Sequence, residues 1–443
     1  MFKNNSNFIL YLSCFALACL FSCKSGTVNL FKPASPHEAY KRKLVNAGLD
    51  KTSMGTAWIN AADQILGEVA EIKIPFKEQG FFAAESIPVV TYKFNATRGQ
   101  KLKFTLVKNP PEQFMIYLDV WHRREDGKNK LIASADSLST PLELEIDETG
   151  TYLLRLQPEL LKSGSYNLEI TSGPSLGYPI SGTRRNHIQS FFGDGRDAGT
   201  RKHEGIDLFA PFRTPVVAIA EGTVVRVNEN NLGGKVVWMR PRGKDYTLYY
   251  AHLDEQVAVD GQEVKPGDTL GLMGNTGNAR TTPPHLHFGI YTSGGAVDPL
   301  PFVNPVVKSA PKITASTDQL NATLRSVHSA KIHSAPDIKA NVIYTASSGT
   351  VMLANAAMGN WYRIELPDGK IGFVESRLLT NTATPLKKVS LKRTQRKLYS
   401  KADSLSPVKL NLTAGEPVNV LGSFDRYQLV LTKGLTTGWI QNL

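Results

Sequence analysis

The sequence predicts a mainly β protein with several separate cores: an antiparallel β-sandwich, a β-sheet domain that carries clustered histidines, and two small barrels. Three observations predict it. Apolar and polar residues alternate with period two in short runs through 73–174, short strands broken by Gly and Pro fill 175–303, and beyond Pro305 the chain repeats itself at an offset of 66 residues. A length of 443 residues is too great for one core, because domains run to roughly 100–200 residues. Hydrophobic content of 41% with 20% charged residues excludes a disordered chain and a polytopic membrane protein, and three cysteines exclude a disulfide scaffold. The formal charge of +12 points to an anionic partner without naming it.

The N-terminus sets the compartment. An apolar run from Phe8 to Phe21 follows Lys3. It is short for a membrane span, which needs about 20 residues, and reads as an export signal over 1–22. Its end, Leu20-Phe21-Ser22-Cys23, resembles the lipobox of bacterial lipoproteins, although a smaller residue is usual where Phe21 stands. That resemblance implies lipidation of Cys23 and a membrane-anchored mature chain. Cys14 and Cys19 fall in the signal, so no internal disulfide remains possible. Lys24 is not the Asp that commonly retains lipoproteins at the inner membrane, which favours the outer one. The expected location is the cell envelope.

Residues 23–72 read as a tether with short helices. Ser35-Pro36-His37-Glu38 has a Ser cap, Pro in the first turn and Glu three positions after the cap. Gly48 reads as a stop, and a second helical pattern runs from Ser53 to Leu66. In 73–174, Lys101-Leu102-Lys103-Phe104-Thr105-Leu106 and Leu142-Glu143-Leu144-Glu145-Ile146 alternate strictly. Gly150-Thr151-Tyr152 and Gly164-Ser165-Tyr166 continue the pattern. About seven such strands with turns between them predict an accessory sandwich, read as a spacer or binding domain.

The histidine-bearing unit spans 175–303. His203-Glu204-Gly205-Ile206-Asp207 has the form H-x-x-x-D, Tyr250-Ala251-His252-Leu253 sets a histidine in a strand pattern, and His285-Leu286-His287 is an H-x-H. On a strand, His285 and His287 point to one face while Leu286 and Phe288 point to the other. Imidazole and carboxylate suit Zn2+, and three protein ligands leave a fourth position for water. Each motif alone is weak. His37, His122, His187, His328 and His333 have no such partners and read as surface or packing residues.

Together the motifs are specific. From Ser190 to Phe302 the chain resembles the lysostaphin-type (LytM-like) zinc endopeptidases. The match runs through Phe192-Gly193 and Arg196, His203 to Leu208, Ala210-Pro211, Thr214-Pro215-Val216 and Ala218 to Val224. It continues through Tyr249 to Leu253, Val264 to Asp268, Gly274-Asn275-Thr276-Gly277, His285 to Phe288 and Asp298-Pro299, in family order. The resemblance implies the family's β-sheet fold, a duplicated hybrid motif, with one Zn2+ held by His203, Asp207 and His287. It assigns His252 and His285 to catalysis, with the division of roles between them open. Thr281-Thr282-Pro283-Pro284 departs from the single Pro usual before the H-x-H. Peptidoglycan cross-links are the implied substrate; Gly-Gly bridges and links from D-Ala to a diamino acid are both family substrates.

The repeat follows. Lys331-Ile332-His333-Ser334 recurs as Lys397-Leu398-Tyr399-Ser400, Gly349 as Gly415, Trp361 as Tyr427, and Gly372-Phe373-Val374 as Gly438-Trp439-Ile440. The pattern resembles bacterial SH3-type domains and predicts two barrels, at 322–380 and 385–443. Residues 304–443 carry 18 Lys and Arg against 8 Asp and Glu, so most of the net charge lies here. Seven of the basic residues fall between Lys387 and Lys401 with no acidic one. An anionic surface polymer or lipid headgroup is the expected partner, and nucleic acid is not expected of an exported protein. Two rival functions remain: a non-catalytic scaffold that activates a wall amidase, and a wall-binding adhesin.

Overall fold

The computed structural model describes residues 34–64, 69–112, 114–182, 188–196, 199–391 and 396–441. The export signal over 1–22, Cys23, Leu66 and His187 lie outside the described residues. Among the described residues no helix is long and apolar enough to cross a membrane.

The first helix, Pro36–Asn46, starts as its sequence dictates. The Ser35 hydroxyl accepts the Glu38 N–H at 3.2 Å, and Pro36 fills the first turn, where a missing N–H costs nothing. Gly48 follows in the left-handed region at φ 71°. A second helix spans Ser53–Gln64. These helices are not a free tether, because they bury an aromatic face against the sandwich. His37 stacks on Trp58 at 4.7 Å, and the Trp58 indole N–H donates to the Pro158 carbonyl at 2.9 Å. Gln157 closes the contact, donating to the Trp58 carbonyl at 2.9 Å and sharing a 2.6 Å hydrogen bond with His37.

The sandwich has the expected alternation. Along Gln100–Asn109, Leu102, Phe104 and Leu106 are buried and Lys101, Lys103 and Thr105 face outward. One sheet orders Ala70–Glu71, Val90–Ala96, Gly150–Pro158, Ile116–Arg123 and Asn129–Asp136. Its first pair is parallel, so the sandwich begins slightly before residue 73. The facing sheet orders Phe76–Phe82, Gly164–Pro174, Gln100–Asn109 and Leu142–Glu145.

That second sheet does not stop at the sandwich. The free edge of Phe76–Phe82 pairs with Val351–Met358 of the first barrel, Gln79 opposite Ala357 and Gly80 opposite Ala356. Beneath the junction lies a buried polar knot. Glu78, with no exposed surface, accepts from the Tyr92 and Tyr166 hydroxyls, the latter at 2.7 Å. Arg363 of the barrel donates to the Tyr92 oxygen at 2.8 Å and to the Tyr166 oxygen at 3.2 Å, and sits 3.7 Å from Glu78. A charge this deep is tolerated only when paired and hydrogen-bonded, so the knot holds sandwich and barrel in one register.

The two barrels are copies strand by strand. Ala330–His333, Val342–Ala346, Val351–Met358, Trp361–Glu365 and Ile371–Glu375 recur as Arg396–Tyr399, Val408–Leu412, Pro417–Phe424, Tyr427–Thr432 and Thr437–Gln441. Each second strand begins 66 residues after the first, and the neighbour order is the same in both. Buried Arg325 joins the copies by donating to the Leu421 carbonyl at 2.9 Å.

The histidine-bearing domain is one sheet ordered Ile188–Ser190, Ile206–Phe209, His285–Thr292, Thr247–Gln256, Gly234–Pro241, Gly222–Asn230 and Glu263–Val264. Leu208, Leu248, Tyr250, Leu286 and Phe288 fill the core on one face. The opposite face of the central strands floors an open cleft.

Candidate metal and catalytic site

The sheet register brings the motifs together. Asp207 and His287 are direct partners across the antiparallel strands Ile206–Phe209 and His285–Thr292. Opposed residues of such a ladder hold their Cβ atoms about 5 Å apart, close enough for side chains to share a ligand. His203 lies just before the first of these strands. Gly205 permits the approach, since a Cβ there would lie 2.7 Å from the His287 ring and 2.5 Å from the Phe288 carbonyl oxygen.

Three donor atoms converge as a result. His203 Nε2 and His287 Nδ1 are 2.9 Å apart, and each is 3.0 Å from Asp207 Oδ1. All three side chains are largely buried. The other ring nitrogen of His203, Nδ1, lies 2.9 Å from the Phe191 carbonyl oxygen. A carbonyl only accepts, so Nδ1 carries the proton and Nε2 turns a lone pair toward Asp207 and His287. Burial pushes the Asp207 carboxyl upward, but hydrogen bonds from the two histidines and their positive charge, when their facing nitrogens carry protons, outweigh it and hold it well below the carboxylate range. Burial lowers the His287 imidazole against the opposing pull of Asp207. Two imidazole nitrogens and a carboxylate oxygen at this spacing fit a Zn2+ donor set, in which the metal takes the place of the ring protons facing Asp207.

Arg196 supports the carboxylate from behind. It sits on a two-stranded ribbon, Gly195–Arg196 with Arg201–Lys202, and donates to Asp207 Oδ2 at 2.8 Å and to the Ser190 hydroxyl at 2.6 Å. With Oδ2 occupied, Oδ1 is left to face the histidines.

His252 and His285 line the same cleft, of ≈ 570 Å³, with their rings 4.9 Å apart. Both have Nδ1 on a backbone carbonyl oxygen, Thr276 at 2.8 Å and Pro283 at 2.9 Å, which leaves both Nε2 atoms as acceptors. Burial first, then the neighbouring His285 and His287, lower His252 to about 4, so its ring is neutral at pH 7. Phe209 stacks on His285 at 4.8 Å and fixes its plane.

The position of His252 is not what strict alternation gives. Tyr250 faces the core, so a regular strand would send His252 there too. A bulge intervenes. Val237 pairs with Tyr250 and Lys235 with Leu253, so Val236 alone opposes both Ala251 and His252. His252 takes a left-handed backbone at φ 65°, a costly conformation for a residue with a Cβ, and its ring swings into the cleft.

All five predicted residues therefore lie in one cleft. Of the other histidines, His37, His122 and His333 are buried packing residues and His328 is exposed. Sequence reasoning gave no role to Arg196, although its place between Phe192-Gly193 and the first histidine was visible. It also passed over Trp238, Tyr249 and Tyr291, an aromatic wall beside His287 with ring contacts of 4.2–5.8 Å.

Comparison with known proteins gives two family matches. Residues 201–299 match peptidase family M23, and residues 328–380 match the bacterial SH3 domain. The chain is 36% identical over 110 residues to the peptidoglycan DD-endopeptidase ShyA of Vibrio cholerae, covering 25% of either chain. It is 36% identical over 125 residues to an L-Ala--D-Glu endopeptidase of Bacillus subtilis, covering 26% of this chain and 38% of that one. Among solved structures, the catalytic domain of lysostaphin from Staphylococcus simulans is 30% identical, with 26% of this chain and 91% of that one covered and a TM-score of 0.25. The chain spans only about a quarter of the length of the first curated relatives it matches. At domain level the assignment is plain: this chain carries a lysostaphin-type peptidase domain of family M23, followed by a bacterial SH3 domain.

Proposed function

We propose that the protein is a lipid-anchored zinc endopeptidase of the cell envelope that hydrolyses peptide cross-links of bacterial peptidoglycan. One observation carries the reading: a converging His203, Asp207 and His287 donor set shares its cleft with two imidazoles whose Nε2 atoms are free to handle protons. His203 Nε2, Asp207 Oδ1 and His287 Nδ1 would hold Zn2+, and Arg196 would fix the carboxylate. A bound Zn2+ supplies Lewis acidity to a substrate carbonyl and makes water easier to deprotonate. His252 and His285 offer Nε2 to the proton of attacking water, and the ring that takes it donates it to the carbonyl oxygen or the leaving amine. Their backbone-locked tautomers orient both rings before substrate arrives, so the step needs no rotation of either.

Peptidoglycan as substrate is supported by the relatives, one a peptidoglycan DD-endopeptidase and another an L-Ala--D-Glu endopeptidase. Anchoring rests on the lipobox-like Cys23 alone. The rival reading, a non-catalytic scaffold that activates an amidase, is disfavoured because all five residues are present and assembled. Metal analysis tests the assignment. The purified chain should hold about one zinc. His287→Ala should lose it, while His285→Ala should keep it and lose hydrolysis. Equal metal loss in both variants would break the assignment.

A further inference from the structure

One end of the second barrel carries apolar side chains that no packing explains. Leu405 is 91% exposed and Leu435 is 80% exposed. They belong to two connections, the 400–407 loop and the 432–437 turn that joins the strands Tyr427–Thr432 and Thr437–Gln441. Tyr399 pairs with both Val408 and Trp439, and Leu431 pairs with Thr437, so both loops leave the sheet at the same end. Lys409 ties them together by donating to the Thr437 carbonyl at 2.9 Å. Lys401 and Lys433 flank the two leucines, with Asp403 as the acid within the loops.

The first barrel shows what this end looks like without the leucines. At the equivalent positions it has Lys339 and Gly369. Gly369 sits in the left-handed region at φ 86°, where a residue without a Cβ is at ease. The same turn recurs in the second barrel: Gly369 N–H bonds to the Leu366 carbonyl, and Leu435 N–H bonds to the Thr432 carbonyl. There Leu435 adopts φ 60° despite its side chain. A strained, solvent-facing leucine contributes nothing to folding that glycine would not. The first barrel's 334–341 loop, which carries exposed Ile338, is also occupied, since Asp337 is bonded to Lys73 of the sandwich at 2.8 Å.

We propose that the 400–407 and 432–437 loops form a membrane-contact tip: Leu405 and Leu435 insert into the acyl boundary of an anionic bilayer while Lys401, Lys409 and Lys433 meet its headgroups. The chemistry selects a bilayer over a soluble polyanion. Lysines alone would suit either, but a hydrated polymer offers no apolar phase to take two leucines. The inference is independent of the peptidase reading and of acylation at Cys23.

The test uses the chain from Lys24 to Leu443, which retains every described element and lacks both the signal and the acylated cysteine. It contains no cysteine, so Leu405→Cys and Leu435→Cys each accept one environment-sensitive fluorophore without interference. Vesicles of phosphatidylcholine with one quarter phosphatidylglycerol should bind the chain and blue-shift both labels. A label on Asn381→Cys, exposed on the last strand of the first barrel, should not shift. Pure phosphatidylcholine vesicles should bind weakly. The Leu405→Asp, Leu435→Asp double variant should lose about ten-fold or more of its vesicle affinity with its melting temperature unchanged. Unshifted labels on bound protein, or equal vesicle binding by the double variant, would overturn the proposal. A concentration-dependent dimer that the double variant abolishes would identify a second copy as the occupant and would also overturn it.

Discussion

Replacing Arg196 with Ala should weaken zinc binding without unfolding the domain. The guanidinium makes a charge-assisted hydrogen bond of 2.8 Å to Asp207 Oδ2 and is itself held at 2.6 Å by the Ser190 hydroxyl. Without it, Oδ2 is free and the carboxylate can rotate away from the two histidines. Loss of such an outer partner costs about 10–100-fold in metal affinity, or about 1.4–2.7 kcal/mol. The Arg196 side chain is 29% exposed, so solvent screens part of the interaction. The expected loss is therefore near the lower end, about 10–30-fold. Competition with a chromophoric chelator at pH 7 measures it directly, and circular dichroism checks the fold. Arg196→Lys should recover only part of the affinity, because both bonds leave one guanidinium nitrogen, Nη2, and the lysine ammonium sits on a chain one bond shorter. A dissociation constant within two-fold of the parent in Arg196→Ala would refute the reasoning.

Two further predictions concern the junctions. Arg363→Ala leaves the fully buried Glu78 without its cation and should destabilise the sandwich–barrel unit by about 3–5 kcal/mol in urea unfolding; Glu78→Gln with Arg363→Met should recover much of that, since no charge then remains buried. His37 should make stability pH-dependent. Burial first, then Arg155, lowers its folded value to about 4, against about 6.5 when unfolded. Above about pH 6.5 both states are neutral and nothing is lost; as pH falls toward 4 the unfolded chain takes up the proton first, and about 3 kcal/mol of stability disappears. His37→Gln should flatten that part of the pH profile, and an unchanged slope would assign it elsewhere.

Much of this was legible in the sequence, for identifiable reasons. Leu102, Phe104 and Leu106 announced their face because period two is a property of the strand itself. The 66-residue offset located five strand pairs because the duplication carries no gap. His285 and His287 share a face for the same geometric reason. What stayed hidden depends on contacts between distant segments. Nothing local marks the bulge that turns His252 from the core to the cleft; its cost is met by tertiary packing. Nothing in the sequence of Phe76–Phe82 marks a strand paired on both edges, and only the fold shows that its second edge continues into the first barrel. The Glu78–Arg363 pair is separated by almost three hundred residues, and either charge alone reads as surface. The helices before the sandwich read as a tether because their partners, Gln157 and Pro158, lie about a hundred residues on.

The central claim, zinc-dependent cleavage of wall cross-links, is tested most directly by digesting isolated peptidoglycan and reading the products by mass spectrometry. Cross-linked muropeptides should fall and new peptide termini should appear, one free amine per bond cut, only with zinc present and not with His285→Ala. No new termini with zinc supplied and the metal bound would contradict the claim and leave the domain a non-catalytic scaffold.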